Sequence, residues 1–161
     1  MRRAAKPTVH RIGVISDTHG LLRREALAAL VGCELIVHAG DVGGREVLDR
    51  LRAVAPVVAV RGNVDIDDWA RSLPETETLK LGDVSLNILH DLDKLDLDPA
   101  AAGFAAVIFG HSHRCEATMR DGVLYLNPGS AGPRRFRLPV SVARLQVVDA
   151  QVSAELVTLL T

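Results

Sequence analysis

The chain has 161 residues, of which 48% are hydrophobic, 24% are charged and only 3% are aromatic, and its formal net charge is −1. This length and composition are typical of one globular domain with an aliphatic core. The near-neutral charge excludes a nucleic-acid-binding surface that depends on an overall positive field, and the shortage of aromatic residues leaves few platforms for base stacking. Any recognition of phosphate must therefore be local.

Other features of the sequence indicate a cytoplasmic protein. The two cysteines, Cys33 and Cys115, are too few for a disulfide framework and suit a reducing compartment. No apolar run reaches the roughly 18 residues that a membrane span requires. Residues 1–10 are basic but lead into no apolar signal-peptide stretch, so we predict that they form a flexible N-terminal arm of a single domain over 1–161.

Apolar runs alternate with amphipathic stretches in the first part of the chain. The run after Arg11 predicts a strand, and residues 21–30 are rich in Leu, Ala, Arg and Glu, as in a helix. The pattern then repeats as a strand that ends at Gly40-Asp41, a helix over 45–54 and a strand over 56–60. This β-α-β-α-β order favours parallel strands with right-handed crossovers.

The second part of the chain is richer in hairpins. Alternating segments that flank short polar turns, one of them Asp121-Gly122, predict two hairpins. The predicted elements, in chain order, are a hairpin over 76–81 and 84–89, a short helix within 95–103, a strand over 104–109, a hairpin over 115–120 and 123–126, and an antiparallel pair over 140–148 and 152–160.

Residue types that bind metals follow five of the predicted strands. They are Asp17 and His19, then Asp41, Asn63 and His90, and finally His111 and His113. Because ligands in α/β sheets gather beyond the carboxyl ends of the strands, we expect these side chains to meet. In an extended chain Asp17 and His19 would project to the same side while Thr18 points away. Taken alone, this segment is also typical of a strand that leads into an Asx-turn at Gly20.

The types of donor atom indicate the class of metal. Two carboxylates, one amide and four imidazoles, with no thiolate, suit manganese, iron, zinc or nickel better than calcium or a closed thiolate zinc site. Seven side chains are more than one ion uses while keeping an open position. Two ions that share one carboxylate match the count.

Five ordered motifs from Arg11 onward resemble the signature of the calcineurin-like metallophosphoesterases. The motifs are Asp17-x-His19, Gly40-Asp41, Gly62-Asn63, His90 and Gly110-His111-x-His113. The chain length and the Asn127-Pro128-Gly129-Ser130 loop are similar to the small bacterial and archaeal phosphodiesterase branch. The resemblance implies an α/β fold, a four-layer αββα sandwich with a dinuclear metal site at the C-terminal ends of the strands.

The resemblance also implies a role for each ligand. By position, Asp17, His19, Asp41 and His113 would hold the first metal, and Asp41, Asn63, His90 and His111 would hold the second. Asp41 would bridge the two ions, and a bridging metal-bound hydroxide, held in place through Asp41, Asn63 and His90, would attack the phosphorus. We therefore predict a metal-dependent phosphodiesterase with two divalent ions. Mn²⁺ is the ion we favour, and Ni²⁺, Zn²⁺ and Fe²⁺ are alternatives.

Some residues near the motifs leave alternatives open. Val64 stands where many family members have a histidine that protonates the leaving group, so the chain has no obvious general acid, and we expect esters with acidic leaving groups to react faster. Asp91 replaces a usual glycine and would crowd the second metal, bind in its outer shell or face solvent. Arg134 and Arg135 are either a phosphate contact or a solvated pair. For His38 we favour a hydrogen-bonded core histidine over a ligand.

The competing interpretation is a non-catalytic protein-interaction module on the same fold, as in the retromer-subunit relatives of the family. We expect those relatives to have lost metal ligands, whereas all seven positions are present here, which favours the enzyme. The predicted partner is a small phosphate-ester substrate, with no membrane and no strong nucleic-acid footprint. The sequence leaves open the choice among cyclic nucleotides, nucleic-acid ends, nucleotide diphosphate derivatives and small phosphodiesters, and also a homo-oligomer formed through hairpin edges.

Overall fold

The computed structural model describes residues 6–160. Its elements are β1 (Val9–Ile15), α1 (Arg24–Leu30), β2 (Leu35–His38), α2 (Arg45–Arg52), β3 (Val57–Ala59), a 3-10 helix (Asp68–Ser72), β4 (Thr76–Leu81), β5 (Val84–Leu89), a second 3-10 helix (Leu92–Lys94), β6 (Ala106–Ile108), β7 (Glu116–Arg120), β8 (Val123–Asn127), β9 (Val140–Val148) and β10 (Gln151–Leu160). The strands form two five-stranded sheets, with the orders β10-β9-β1-β2-β3 and β4-β5-β6-β8-β7.

The first sheet contains the predicted β-α-β-α-β unit. Strands β1, β2 and β3 run parallel, and β9 and β10 continue the sheet antiparallel on the other side of β1. The register aligns Ile15 with His38 and His38 with Ala59, so the three parallel strands end at the same level. The polar segments that follow them are therefore brought to one edge of the sheet.

The second sheet contains both predicted hairpins. Strands β5, β6 and β8 run parallel, and β4 and β7 flank them as antiparallel partners. At the tip of the β7–β8 hairpin, Asp121 and Gly122 have φ angles of 51° and 77°, as a type I′ turn requires. The predicted strands over 76–81 and 84–89 are confirmed with the same bounds.

An aliphatic core fills the space between the sheets. Buried residues from both sheets contribute to it, among them Ile12, Val14, Val37, Leu86, Ile88, Ile108, Leu126 and Leu145. Because side chains alternate along a strand, Ile15 and Ile36 face the opposite side of the first sheet, where they pack against Leu30 of α1 and Leu51 of α2. Each such side chain contributes about 1.5–3 kcal/mol when fully buried, so the core is substantial despite the shortage of aromatic residues.

The resemblance implies a second helical layer, on the outer face of the second sheet. In the part of the chain that the structure describes, this face has no α-helical layer. The outer face of the second sheet buries Leu89, Val107 and Phe109, and it is covered by Leu92 and Leu95 from the short 3-10 helix and the loop behind it. The architecture is thus a mixed α/β fold with two sheets, in which the α-helices α1 and α2 lie on one outer face. Between residues 6 and 160 no helix is long and apolar enough to cross a membrane.

The helix predicted within 95–103 is wrong. The segment makes a single turn, in which the Ala102 N–H donates to the Asp98 carbonyl at 2.9 Å. The Asp98 carboxylate accepts the N–H of Ala100 at 3.1 Å and so begins the turn, and Gly103, with a φ of 84°, ends it. A segment this short does not recover the cost of helix nucleation.

Strand β1 begins at Val9, inside the range 1–10 that the sequence assigns to a flexible arm. His10 is aligned with Val147 of β9, and its ring lies 3.1 Å from the Glu34 carboxylate. The ordered sheet therefore starts earlier than predicted. Residues 1–5 of the predicted arm lie outside the described residues.

Candidate metal centre

All seven candidate ligands lie at one edge of the two sheets. They come from the segments that follow β1 (Asp17, His19), β2 (Asp41), β3 (Asn63), β5 (His90) and β6 (His111, His113). The ligand atoms of six of them form two groups, within each of which the atoms lie no more than 4.8 Å apart. The first group is Asp17, His19 and His113, and the second is Asp41, His90 and His111. Asn63 lies beside the second group, since its Oδ1 is 3.2 Å from His111 Nδ1.

Asp41 lies between the two groups. Its Oδ2 is 3.1 Å from Nε2 of His90, in the second group, and 3.7 Å from Nε2 of His19, in the first. Its Oδ1 accepts the Val64 N–H at 3.0 Å, which holds the carboxylate in this orientation. One oxygen of Asp41 therefore faces nitrogen atoms from both groups, which is the position that a shared ligand requires.

Four buried side-chain atoms at this edge have no hydrogen-bond partner among the described residues. They are Asp17 Oδ1, His19 Nε2, His90 Nε2 and His113 Nδ1. An unpaired buried polar atom costs about 1–3 kcal/mol, so a cluster of four is unusual unless a bound group satisfies it. Carboxylate and imidazole atoms are ligands of divalent manganese, iron, nickel and zinc. The residues present therefore fit metal ions of this kind.

The electrostatics of the site also favour a cation. Burial lowers the pKa of His90, but the Asp41 carboxylate 3.1 Å away and the charge of Asp17 outweigh it, and the pKa lies above its ordinary value. For Asp41, burial raises the pKa, yet the interactions with His90 and the Val64 N–H bring the pKa below its ordinary value. Both shifts have the same origin, because the buried carboxylates stabilise positive charge placed among them.

His90 is oriented by a hydrogen bond on its far side. Its Nδ1 donates to the Ala39 carbonyl at 2.8 Å, and a carbonyl only accepts, so the neutral ring carries its proton on Nδ1. The lone pair of Nε2 then faces Asp41, as in a metal-binding imidazole. Gly40 makes this approach possible, because a Cβ there would lie 2.7 Å from Nδ1 of His90.

The Asp17 carboxylate is fixed in a similar way. Its Oδ2 accepts the Ser16 hydroxyl at 2.7 Å and the His111 N–H at 3.1 Å, which leaves Oδ1 directed at the centre. Burial raises the pKa of Asp17, but the interactions with His113 and His90 lower it by more than burial raises it. The pKa of Asp17 therefore lies below its ordinary value. A side chain at Gly110 would collide with Ser16 and come within 2.6 Å of Oδ2, so only glycine fits there.

Five of the candidate ligands have left-handed backbone conformations. The φ angles are 55° at Asp17, 46° at His19, 53° at Asp41, 73° at His111 and 63° at His113. This conformation costs a non-glycine residue about 1–3 kcal/mol and is concentrated at functional sites. The expectation that Asp17 and His19 project together from an extended chain is therefore wrong, because a tight left-handed turn brings them together instead.

His38 supports the centre from behind. Its Nε2 donates to the Thr18 hydroxyl at 3.0 Å, since that hydroxyl uses its own proton for the Val42 carbonyl at 2.7 Å. Its Nδ1 accepts the Gly40 N–H at 3.1 Å. Burial lowers the pKa of this completely buried ring to about 4, so the ring is neutral. His38 thus ties the loop after β1 to the loop after β2, as the interpretation of a hydrogen-bonded core histidine predicts.

Asp65 has an equivalent role that the sequence analysis missed. This carboxylate is 2% exposed and accepts three backbone N–H groups, from Val42 at 3.1 Å, Gly43 at 3.0 Å and Gly62 at 2.9 Å. It joins the loop after β2 to the loop after β3. No sequence signal distinguishes it from an ordinary loop acid, because two of the three N–H groups, those of Val42 and Gly43, belong to a segment far away in the chain.

The second group opens on a cleft of about 280 Å³, which Arg61, Asn63, His90, Asp91 and Lys94 help to line. Asp91 lies beside this group, with Oδ2 4.0 Å from Nε2 of His111 and Oδ1 accepting the Asp93 N–H at 3.1 Å. This position favours a contact outside the ligand set. A larger cavity of about 640 Å³, lined by Arg11, Cys33 and Arg144 among others, contains none of the candidate ligands.

An α/β fold that gathers oxygen and nitrogen donors at the carboxyl ends of parallel strands is typical of a metal-binding enzyme site. A sequence model of the calcineurin-like phosphoesterase superfamily domain matches residues 11–150, and the chain therefore belongs to that superfamily. The family predicted from the five motifs is confirmed.

Individual relatives agree with this assignment. A protein of Methanocaldococcus jannaschii named a probable metallophosphoesterase is 38% identical over 152 residues, which cover 86% of this chain and 76% of that protein. Another protein of the same organism, named a phosphodiesterase, is 26% identical over 137 residues. The match covers 74% of this chain and 82% of that protein. Vps29 of Entamoeba histolytica, solved in complex with Zn²⁺, superposes with a TM-score of 0.71 at 25% identity, covering 92% of this chain and 99% of its own. The predicted enzyme class, a metallophosphoesterase, is confirmed.

Proposed function

We propose that the protein is a phosphodiesterase that uses two divalent metal ions. The observation that carries this proposal is the position of Asp41, whose Oδ2 faces His90 at 3.1 Å and His19 at 3.7 Å. Around it lie four buried atoms that have no hydrogen-bond partner within residues 6–160. We assign Asp17, His19, Asp41 and His113 to the first ion, and Asp41, Asn63, His90 and His111 to the second. Mn²⁺ is the ion we favour for activity, and Ni²⁺, Zn²⁺ and Fe²⁺ suit the same ligands.

The chain's own groups prepare the site for a phosphate ester. When bound, the two ions would activate a water molecule and polarise the phosphoryl oxygens. Asn63 supplies a neutral amide oxygen, so the ligand set adds no third carboxylate that would repel phosphate. The hydrogen bonds to Ala39 and Ser16 keep His90 and Asp17 oriented before substrate arrives, which lowers the reorganisation that the reaction requires.

The leaving group receives no proton from Val64, which is an exposed apolar side chain beside the site. The absence of an acid at this position favours diesters and other esters whose alcohols leave readily without protonation. Both cysteines are unpaired, which fits the proposed location in the reducing cytoplasm.

The second candidate function is a non-catalytic interaction module. It is supported by the similarity to Vps29 of Entamoeba histolytica. That protein was solved in complex with Zn²⁺. Metal binding alone therefore does not separate the two functions. Hydrolysis does separate them.

The test is hydrolysis by purified protein that has been stripped with a chelator and reloaded with Mn²⁺, Ni²⁺, Zn²⁺ or Fe²⁺. The substrates are bis(p-nitrophenyl) phosphate and p-nitrophenyl phosphate. We expect Mn²⁺-dependent hydrolysis, faster with the diester, and a loss of kcat/KM of about 100-fold or more in Asp41→Asn, because a shared electrostatic anchor is removed.

Asp121→Asn is the matched control for this test, because Asp121 is also a left-handed aspartate, with a φ of 51° against 53° for Asp41, but lies in the β7–β8 turn. Full activity in Asp41→Asn would exclude the shared ligand. Metal binding without hydrolysis of either ester would favour the interaction module.

A further inference from the structure

The cleft of about 280 Å³ beside the second ligand group has room for part of a substrate. Asn63 and His90 form part of its wall, so an ester group carried by a phosphate at the metal centre meets this cleft. Pockets for drug-sized ligands measure about 300–1,000 Å³. A volume below that range suits a small group, such as glycerol or one sugar ring. The other residues of the wall indicate which chemistry such a group has.

Lys94 lines the cleft from the second 3-10 helix, whose position is fixed by local contacts. The Lys94 N–H donates to the Asp91 carbonyl at 3.0 Å, and the Asp91 carboxylate accepts the Asp93 N–H at 3.1 Å. Leu92 and Leu95 pack against the outer face of the second sheet. Within residues 6–160 the Lys94 ammonium has neither a hydrogen-bond nor an ion-pair partner, so it is available to a ligand.

Arg61 lines the same cleft and is held by the segment before β4. Its backbone N–H donates to the Pro74 carbonyl at 2.8 Å, and its guanidinium donates to the Glu75 carboxylate at 3.1 Å. A guanidinium has five N–H donors, so this contact leaves others for a ligand. The arginines for which the sequence leaves a phosphate contact open, Arg134 and Arg135, are exposed and are not part of this wall.

The wall of the cleft carries charges of both signs. Arg61 and Lys94 are cations, and Glu75, Asp91 and Asp96 are carboxylates. A second anionic group on the substrate would meet three carboxylates, and a cationic group would meet an ammonium that has no partner of its own. Hydroxyl groups both donate and accept hydrogen bonds, so a neutral group rich in hydroxyls can pair with both kinds of residue.

The same wall offers little to an apolar or aromatic group. Its aliphatic side chain, Leu89, is only 3% exposed, and the described residues that line the cleft include no Phe, Tyr or Trp. The cleft therefore lacks the surface on which a nucleobase stacks or a lipid chain packs. Thr76 adds a hydroxyl group to the wall.

We propose that the substrates of this centre are phosphodiesters of a polyol, such as glycerol or a sugar. The polyol occupies the cleft, where its hydroxyl groups bind Lys94, Arg61 and Asp96. This inference rests on the proposed phosphodiesterase function and names its substrate class. Of the substrates that the sequence leaves open, it selects the small phosphodiesters.

The test compares two diesters with the same p-nitrophenol leaving group in the Mn²⁺-loaded enzyme. In one, the second alcohol is methyl α-D-glucopyranoside joined through O6, and in the other it is cyclohexylmethanol, whose ring has the same size but no hydroxyls. We expect KM to be about tenfold lower for the sugar ester, because hydrogen bonds to charged groups are the stronger ones. Lys94→Met should remove most of this difference. Lys80→Met is the matched control, because Lys80 is also an exposed lysine but does not line the cleft.

The outcomes separate this inference from the proposed function. Equal KM values in wild type, with both esters hydrolysed, would overturn the polyol assignment and leave the phosphodiesterase intact. A lower KM for the 4-carboxybutyl or 4-aminobutyl ester of the same series would replace the polyol with an anionic or a cationic group.

If wild-type protein hydrolyses none of these esters, the proposed function fails, and binding still decides the inference. Isothermal titration then compares methyl α-D-glucopyranoside 6-phosphate with cyclohexylmethyl phosphate. Tighter binding of the sugar phosphate that Lys94→Met removes supports the polyol site, and equal binding of the two phosphates refutes it.

Discussion

The two ligand groups of the metal centre differ in how far they are buried. In the first group the side chains of Asp17, His113 and His19 are 0%, 5% and 15% exposed. In the second group Asp41 and His90 are also buried, at 4% and 5% exposed, but His111 is 47% exposed, and Asn63 beside it is exposed as well. The first group is thus enclosed by hydrogen-bonded loops, whereas the second faces a cleft.

For the proposed two-ion centre, this difference predicts a different task for each group. Enclosed, preoriented ligands lose little freedom on binding, so the first group should hold its ion tightly. The second group has ligands open to solvent, so its ion should exchange more readily and meet the substrate first. The comparison predicts two unequal metal-binding equilibria, which substitutions can separate.

The largest effect is expected from removing a buried ligand. His113→Ala should weaken the tighter of two Mn²⁺-binding equilibria by about 100-fold or more, because it opens the enclosed group, whereas His111→Ala should weaken only the looser one. Isothermal titration of the stripped protein measures both constants. If the two variants weaken the same equilibrium, the distinction between the groups does not hold; circular dichroism verifies that both variants are folded.

An effect of similar size is expected from His38, which supports both groups from behind. Its pKa in the folded protein is about 4, below the ordinary 6.5, so the unfolded chain takes up the proton first as the pH falls. The contribution of neutral, buried His38 to the free energy of unfolding is fully present above pH 6.5. About 3 kcal/mol of that free energy is lost as the pH falls from 6.5 to 4.

The variant His38→Gln isolates this contribution, because glutamine keeps a donor and an acceptor but does not titrate. Urea unfolding of wild type and variant, each with chelator, should give free energies that converge as the pH falls from 6.5 to 4. Curves that stay parallel would show that His38 is not the titrating group.

The smallest effect is expected at Asp91, which lies 4.0 Å from His111 and only beside the second group. Asp91→Asn removes a partly exposed charge, so it should weaken the looser Mn²⁺ equilibrium by about two- to fivefold and leave the tighter one unchanged. Asp93→Asn, on an exposed neighbour, is the control in the same titration. A change in the tighter equilibrium would place the Asp91 carboxylate closer to the first group than the structure has it.

Local patterns predicted much of this fold. The alternation in 76–81 and 84–89 and the Asp121-Gly122 turn specify hairpins because strand period and turn conformation are properties of neighbouring residues. The prediction of a helix within 95–103 is wrong. The composition of this segment favours a helix, but Asp98 and Gly103 limit it to one turn. The second outer helical layer, implied by the family resemblance alone, was likewise not found among the described residues.

The sequence by itself determined which residues meet at the metal centre, because each follows an apolar run and parallel strands end at a common edge. It did not determine the left-handed turns at Asp17 and Asp41, the three N–H groups bound by Asp65, or the exposure of Phe136. These features depend on contacts between segments far apart in the chain. Only the tertiary structure decides them, because it is the packing of one loop against another that fixes their backbone angles and the direction of their side chains.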